Sequence, residues 1–180
     1  MASIKGFQLK NVKQPLGREG YGCIATMYLH GKKIGTYEDY GDGACEDVTY
    51  VYKEAEAEMM KVIIEYAKEH PNKFIIDLYH ARPQQFKEEC KRFKKQYPFI
   101  HDKDITIETM ASNSIVYIVE GLLELMDHEK WFKQYQKKGY RAIALEGNRL
   151  AAYPASWSDE RVKASAIGKT LYMSLDDFNK

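Results

Sequence analysis

The sequence predicts an α+β protein: an antiparallel sheet with about three main helices packed against it, in a single compact domain. Three observations carry that expectation. Strand-like runs with hairpin signals fill the first third of the chain, and apolar stripes at helical spacing fill the middle. Short strand-like runs return after Gly139. No linker-like segment divides the 180 residues. The layout read from these signals is 1–52 mostly strands, 54–138 mostly helices, and 140–178 mixed strands with a short helix.

Ile4 to Val12 reads as a strand, joined through Pro15-Leu16-Gly17-Arg18-Glu19-Gly20 to a second over Tyr21–Leu29. The second run is apolar on both alternating faces, which suits the inside of a sheet. His30-Gly31-Lys32-Lys33 follows as a hairpin turn, Gly31 supplying the positive φ of a primed turn. Ile34–Tyr40 returns as its partner, and Val48–Tyr52 is a fourth strand.

Helical spacing then takes over. Met59, Met60, Ile63, Ile64 and Ala67 form one apolar stripe, with Glu54, Glu56 and Glu58 in the first turns where the macrodipole favours negative charge. His70-Pro71-Asn72 stops this helix. Phe74–Leu78 is short, apolar and bounded, and is read as a buried strand. Phe86, Cys90, Phe93 and Tyr97 step along one face of a second helix ended by Pro98. A third helical region runs from about Asn113 to Lys138 on a core face of Ile115, Val119, Leu122, Leu123, Met126, Phe132 and Tyr135. Gly121 and the polar Asp127–Lys130 segment are points where it could break in two. Lys137 and Lys138 make a cationic last turn before Gly139 at the C′ position. Strands follow over Tyr140–Leu145 and Leu150–Tyr153, then a helix capped by Ser158 and closed near Gly168, then a terminal strand Leu171–Leu175.

Composition excludes several classes. With 27 Lys and Arg against 26 Asp and Glu, the chain is neither a polybasic nucleic-acid coat nor an acidic mimic of DNA. No apolar run of about 18 residues offers a membrane span, and Met1–Phe7 has no apolar core of a secretory signal. Cys23, Cys45 and Cys90 are an odd count without a CxxC pair, so a reduced, cytoplasmic setting is expected. Cys23 reads as core, and Cys45 stands in an acidic loop that does not favour a thiolate. The five histidines lack metal-ligand spacing, and the phosphate-loop, dinucleotide and hydrolase signatures are absent. An enzyme, a metal and a cofactor are therefore not expected. The loop Glu38–Asp47 comes nearest to a metal site, but it fails the EF-hand spacing and reads more simply as a tight turn between strands.

The near-zero net charge hides segregation. Residues 1–37 hold six basic residues and one acid. Residues 38–58 hold eight acids against Lys53, and Glu38, Asp39, Asp42, Glu46 and Asp47 are the candidate partner-binding group. Lys91, Arg92, Lys94 and Lys95 on the second helix, with Lys133, Lys137 and Lys138 at the end of the third and Arg141 just after it, grouped together as basic-helix residues, are candidate nucleic-acid contacts. The plainer reading of those cations is the solvated face of amphipathic helices. Fourteen tyrosines crowd the chain, and Tyr21, Tyr28, Tyr37, Tyr40, Tyr50 and Tyr52 fall in the N-terminal strands. They serve either as sheet packing or as a half-exposed binding surface.

The motifs Gly17-Arg18-Glu19-Gly20-Tyr21-Gly22, Tyr28-Leu29-His30-Gly31-Lys32-Lys33-Ile34-Gly35 and Asp39-Tyr40-Gly41-Asp42-Gly43 carry a resemblance. They resemble small proteins of phages and mobile elements of Firmicutes and gut bacteria, and among those the type II-A anti-CRISPR proteins that inhibit Cas9. The closing Leu171–Phe178 is similar to that group's ends. The resemblance implies a non-enzymatic protein that binds Cas9 or its guide-RNA complex and blocks target DNA binding or cleavage. It places no inhibitory residue on this chain. The alternative expectation is a phage or plasmid accessory protein that binds DNA or RNA through its basic helices, with no membrane role.

Overall fold

The computed structural model describes residues 1–147 and 149–180. Its class is α+β, with seven strands, six α-helices and two 3-10 turns among the described residues. The strands form two antiparallel sheets instead of one. They fall in two compact units, Lys5–Glu120 and Met1–Ile4 with Gly121–Lys180.

The first unit is built on a four-stranded meander in the order β1-β2-β3-β4. The strands are β1 (Phe7–Lys13), β2 (Cys23–Leu29), β3 (Lys32–Asp39) and β4 (Asp47–Tyr50). Register pairs Leu9 with Met27, Ala25 with Tyr37, and Thr36 with Thr49. The β2–β3 turn is the expected primed one, with His30 at φ 49° and Gly31 at φ 80°. Strand β2 lies inside the sheet, as its composition implied, and alternates buried with half-buried residues. Phe7, Leu9, Met27, Ile34 and Tyr37 are buried.

Helix α1 (Ala55–Glu69) buries the whole expected stripe, Met59, Met60, Ile63, Ile64 and Ala67. Each of the buried Met and Ile side chains contributes about 1.5–3 kcal/mol. The run read as a strand, Phe74–Leu78, is instead part of helix α2 (Lys73–Ala81). Asn72 caps it, its side chain accepting from the Ile75 amide at 3.2 Å. Phe74 is 74% exposed while Tyr79 is buried, so the run is one-sided, which a buried strand would not be. Helix α3 (Pro83–Gln96) starts with proline in its first turn and buries Phe93, with Phe86, Cys90 and Tyr97 half-buried on the expected face. A 3-10 turn (Asp102–Asp104) leads to α4 (Ile107–Ala111), which opens on a Thr106–Thr109 capping box.

Helix α5 (Ile115–Lys137) runs unbroken past Gly121 and Asp127–Lys130. A mid-helix glycine costs about 1 kcal/mol, and Ile118, Val119, Leu122, Leu125 and Phe132 are all buried along the helix. The polar segment stays helical because its side chains find partners. Glu129 accepts the Ala2 amide at 2.8 Å and pairs with Lys133 at 2.6 Å. His128 Nδ1 lies 2.9 Å from the Tyr172 hydroxyl.

In the second unit, β5 (Tyr140–Glu146), β6 (Arg149–Pro154) and β7 (Thr170–Tyr172) form a sheet in the order β6-β5-β7. Helix α6 (Asp159–Ser165) is capped by Ser158, whose hydroxyl accepts from the Arg161 amide. Ala142, Ala144, Tyr153, Val162 and Ala166 make the core here. The terminal strand is shorter than expected, because Ser174 and Asp177 cap each other and start a 3-10 turn over Leu175–Phe178. Among the described residues, no helix is long and apolar enough to cross a membrane.

Candidate interaction surface

In a meander the β1–β2 and β3–β4 connections leave the same end of the sheet, opposite the β2–β3 hairpin. Residues 14–22 and 40–46 therefore meet. The Glu19 amide donates to the Gly41 carbonyl at 2.8 Å, and the Arg18 amide donates to Asp42 Oδ1 at 3.0 Å. Within the first loop, Gly17 donates to Gly20 and Gly22 to Pro15, and Leu16 bridges Tyr21. The approach is backbone on backbone. A Cβ on Gly17 would overlap the Tyr40 and Gly41 carbonyls, and one on Gly22 would overlap that of Asp39. Gly41, at φ 68°, faces Gly20 in the same way.

This tip presents large apolar groups to solvent. Leu16 is 72% exposed, Tyr21 75% and Tyr40 52%. Around them stand all five acidic candidates, Glu38, Asp39, Asp42, Glu46 and Asp47. Among the described residues, none of them has a lysine, arginine or histidine nitrogen within 4.0 Å. Their local partners are neutral. The Tyr40 hydroxyl donates to Glu38 at 2.8 Å, and the Gly41 amide to Asp39 at 2.8 Å. The hydrogen bond to Glu38 pushes the Tyr40 phenol up, and burial together with the charges of Asp39 and Glu46 does the same to Tyr37. Uncompensated negative charge is thus a property of this end of the sheet.

The basic candidates do not come together as one set. On α3, Lys91, Arg92 and Lys95 are exposed and have no ion pair among the described residues, and Lys87 continues the stripe one turn earlier. Lys94 points elsewhere: it pairs with Asp102 at 2.7 Å and donates to the Ile100 carbonyl. The other four belong to the second unit. There Lys133 is held by Glu129, and Arg141 lies on β5, not on a helix, engaged by Asp159 and the Trp157 carbonyl. Lys138 lies over the Tyr135 ring at 5.2 Å, and Lys137 is exposed.

Cys23 is buried, and desolvation raises its thiol to about 11. Cys45 is exposed on the acidic loop. His80 and His101 are exposed residues of α2 and of the connection before the 3-10 turn. Among the described residues, no three His, Cys, Asp or Glu side chains are grouped to hold a metal ion.

Sequence reasoning missed Leu16 and placed Tyr21 inside a strand, whereas β2 begins only at Cys23. The signal for the tip was the glycine spacing at 17, 20 and 22 and again at 41 and 43. Glycines serve both turns and close approaches, so spacing by itself does not say which. The fold and this surface define a small α+β protein with an acidic, tyrosine-bearing loop tip. No family model, no curated protein and no solved structure matches the chain.

Proposed function

We propose that this chain is a non-enzymatic inhibitor that binds Cas9, or its guide-RNA complex, stoichiometrically and blocks target DNA binding or cleavage. The observation that carries the binding role is the tip. Five carboxylates that have no cationic partner among the described residues stand beside three exposed apolar side chains on a backbone-locked platform. Exposed Tyr and Leu supply contact area at low entropic cost, and the acids complement a basic partner. Cas9 holds its nucleic acids in a positively charged channel, so its surface chemistry matches. The resemblance of the glycine and tyrosine motifs supplies the particular partner.

The test is a DNA-cleavage assay titrated with the protein, guide RNA being added before or after it. Inhibition is expected to be complete near one equivalent. The Glu38→Lys/Asp42→Lys/Asp47→Lys variant is expected to need at least about tenfold more protein, since like charges at an interface are costly. Full cleavage at large excess across several Cas9 orthologues overturns the reading.

The second reading, a nucleic-acid contact through α3, rests on Lys87, Lys91 and Lys95. They recur every fourth residue, about 6 Å apart along the helix, and carry no ion pair among the described residues. Binding of that kind weakens steeply with salt, losing roughly one logarithmic slope unit per phosphate contact.

A further inference from the structure

Beside the tip, still within the first unit, lies a cavity of about 330 Å³. The buried Met60 and Ile63 of α1 supply part of its apolar lining. Four polar groups converge on it: Glu46 from the acidic loop, Tyr50 of β4, Glu56 of α1 and Tyr97 beyond the end of α3. Among the described residues, no lysine, arginine or histidine lines it. Asn113 and Ser114 at its edge are already engaged, with Met110 and the Val116 amide. Neither Glu46 nor Glu56 has a cationic nitrogen within 4.0 Å among the described residues.

The chemistry of such a lining has one sign. Two carboxylates beside apolar side chains, in a space at the small end of ligand cavities, call for a compact cation with an apolar stem. Two phenol rings favour a planar, delocalised cation, because a guanidinium stacks on aromatic faces and meets carboxylates in a fork. Burial and Glu56 push the Tyr97 phenol up to about 12, and burial with the same carboxylate raises Tyr50. Both rings therefore stay neutral, and among the described residues the lining holds no ionisable group of either sign beyond these phenols and the two carboxyls.

We infer that this cavity is a receptor for one arginine side chain of the protein partner. The inference deepens the proposed function and rests on it for the partner's being a protein, but not for the cavity's preference for a guanidinium. Glu46 belongs both to the tip and to the cavity, so an arginine seated here would anchor a basic surface laid across the acidic loop.

The probe is N-acetyl-arginine amide, titrated into the full chain and followed by NMR at Tyr50, Tyr97 and Ser114. N-acetyl-citrulline amide, equal in shape but uncharged, and spermidine are run beside it. The arginine derivative is expected to shift these signals together and to bind at least about tenfold more tightly than the citrulline derivative, the difference between charged and neutral hydrogen bonding. Glu46→Gln/Glu56→Gln is expected to abolish the shifts, and Glu65→Gln, outside the cavity on α1, to leave them unchanged. Equal binding of the two amides, or shifts scattered away from the cavity, overturns the assignment. Tighter binding of spermidine overturns it in favour of a small polyamine. Because no Cas9 is present, failure of the inhibition assay and failure of this titration are separate outcomes.

Discussion

At the level of single residues, the tip depends on side chains that are missing. Gly22 has an ordinary φ, so its requirement is space: the Asp39 carbonyl occupies the position of a Cβ. Gly22→Ala is expected to cost about 1–3 kcal/mol in urea unfolding, the range for forcing extra atoms into close packing. It should also weaken the proposed Cas9 inhibition, because the two loops must part. An unchanged unfolding midpoint would mean that the loops can part freely.

His128 is a second residue with a measurable signature. Burial holds its imidazole below the usual value of 6.5, outweighing the opposite pull of Glu124 and Asp127, with Lys180 adding to the lowering. The neutral ring meets the Tyr172 hydroxyl, and Tyr172 stacks on Phe178 at 4.5 Å. A depressed folded-state pKa means that the unfolded chain binds the extra proton first. Its contribution to stability is full above the unfolded value and is lost as pH falls through the folded one. The melting temperature of the wild type is expected to drop more between about pH 7 and pH 5 than that of His128→Gln, in scans at matched ionic strength. Parallel curves would show that the ring charges without penalty.

For the elements, α2 shows how local chemistry outranks a short apolar run. Phe74-Ile75-Ile76-Asp77-Leu78 has strand composition, yet Asn72 supplies a helix start that composition does not register. Its side chain caps Ile75 and also donates to the Tyr117 hydroxyl at 2.9 Å, while its amide donates to Ser112. Asn72→Ala is expected to lower stability by about 1–2 kcal/mol, the upper part of the range for a lost cap, measured by thermal or chemical unfolding. A change of only a few tenths would mean that packing of Tyr79 alone holds α2. Helix α5 makes the complementary point: Gly121 is tolerated because the burial gained along the helix exceeds its propensity cost.

On the scale of the molecule, near-neutrality is a sum over separated regions. Among the described residues the acidic end of the first sheet has no cationic partners, whereas three of the eight basic candidates, Lys94, Lys133 and Arg141, are neutralised by Asp102, Glu129 and Asp159. A binding protein is therefore expected to act in proportion to its partner's concentration, where an enzyme would act well below one equivalent. The order-of-addition titration reads that difference directly.

What the sequence by itself determined is the local part. The helical-period stripe of α1, the His30-Gly31 turn, the Ser158 cap and the stop at His70-Pro71 all act over a few neighbouring residues, and each stands where it was read. The acidic candidates were legible too, because their crowding is a property of one loop. Tertiary structure alone decided which charges remain unpaired, since the partner of Arg141 is 18 residues away and that of Lys68 is 36 away. It alone brought Gly17 and Gly22 against Asp39–Gly41, and Tyr50 and Tyr97 around one cavity. The physical reason is common to all of these: backbone approach and charge pairing depend on distance in space, which residue spacing along a chain does not contain.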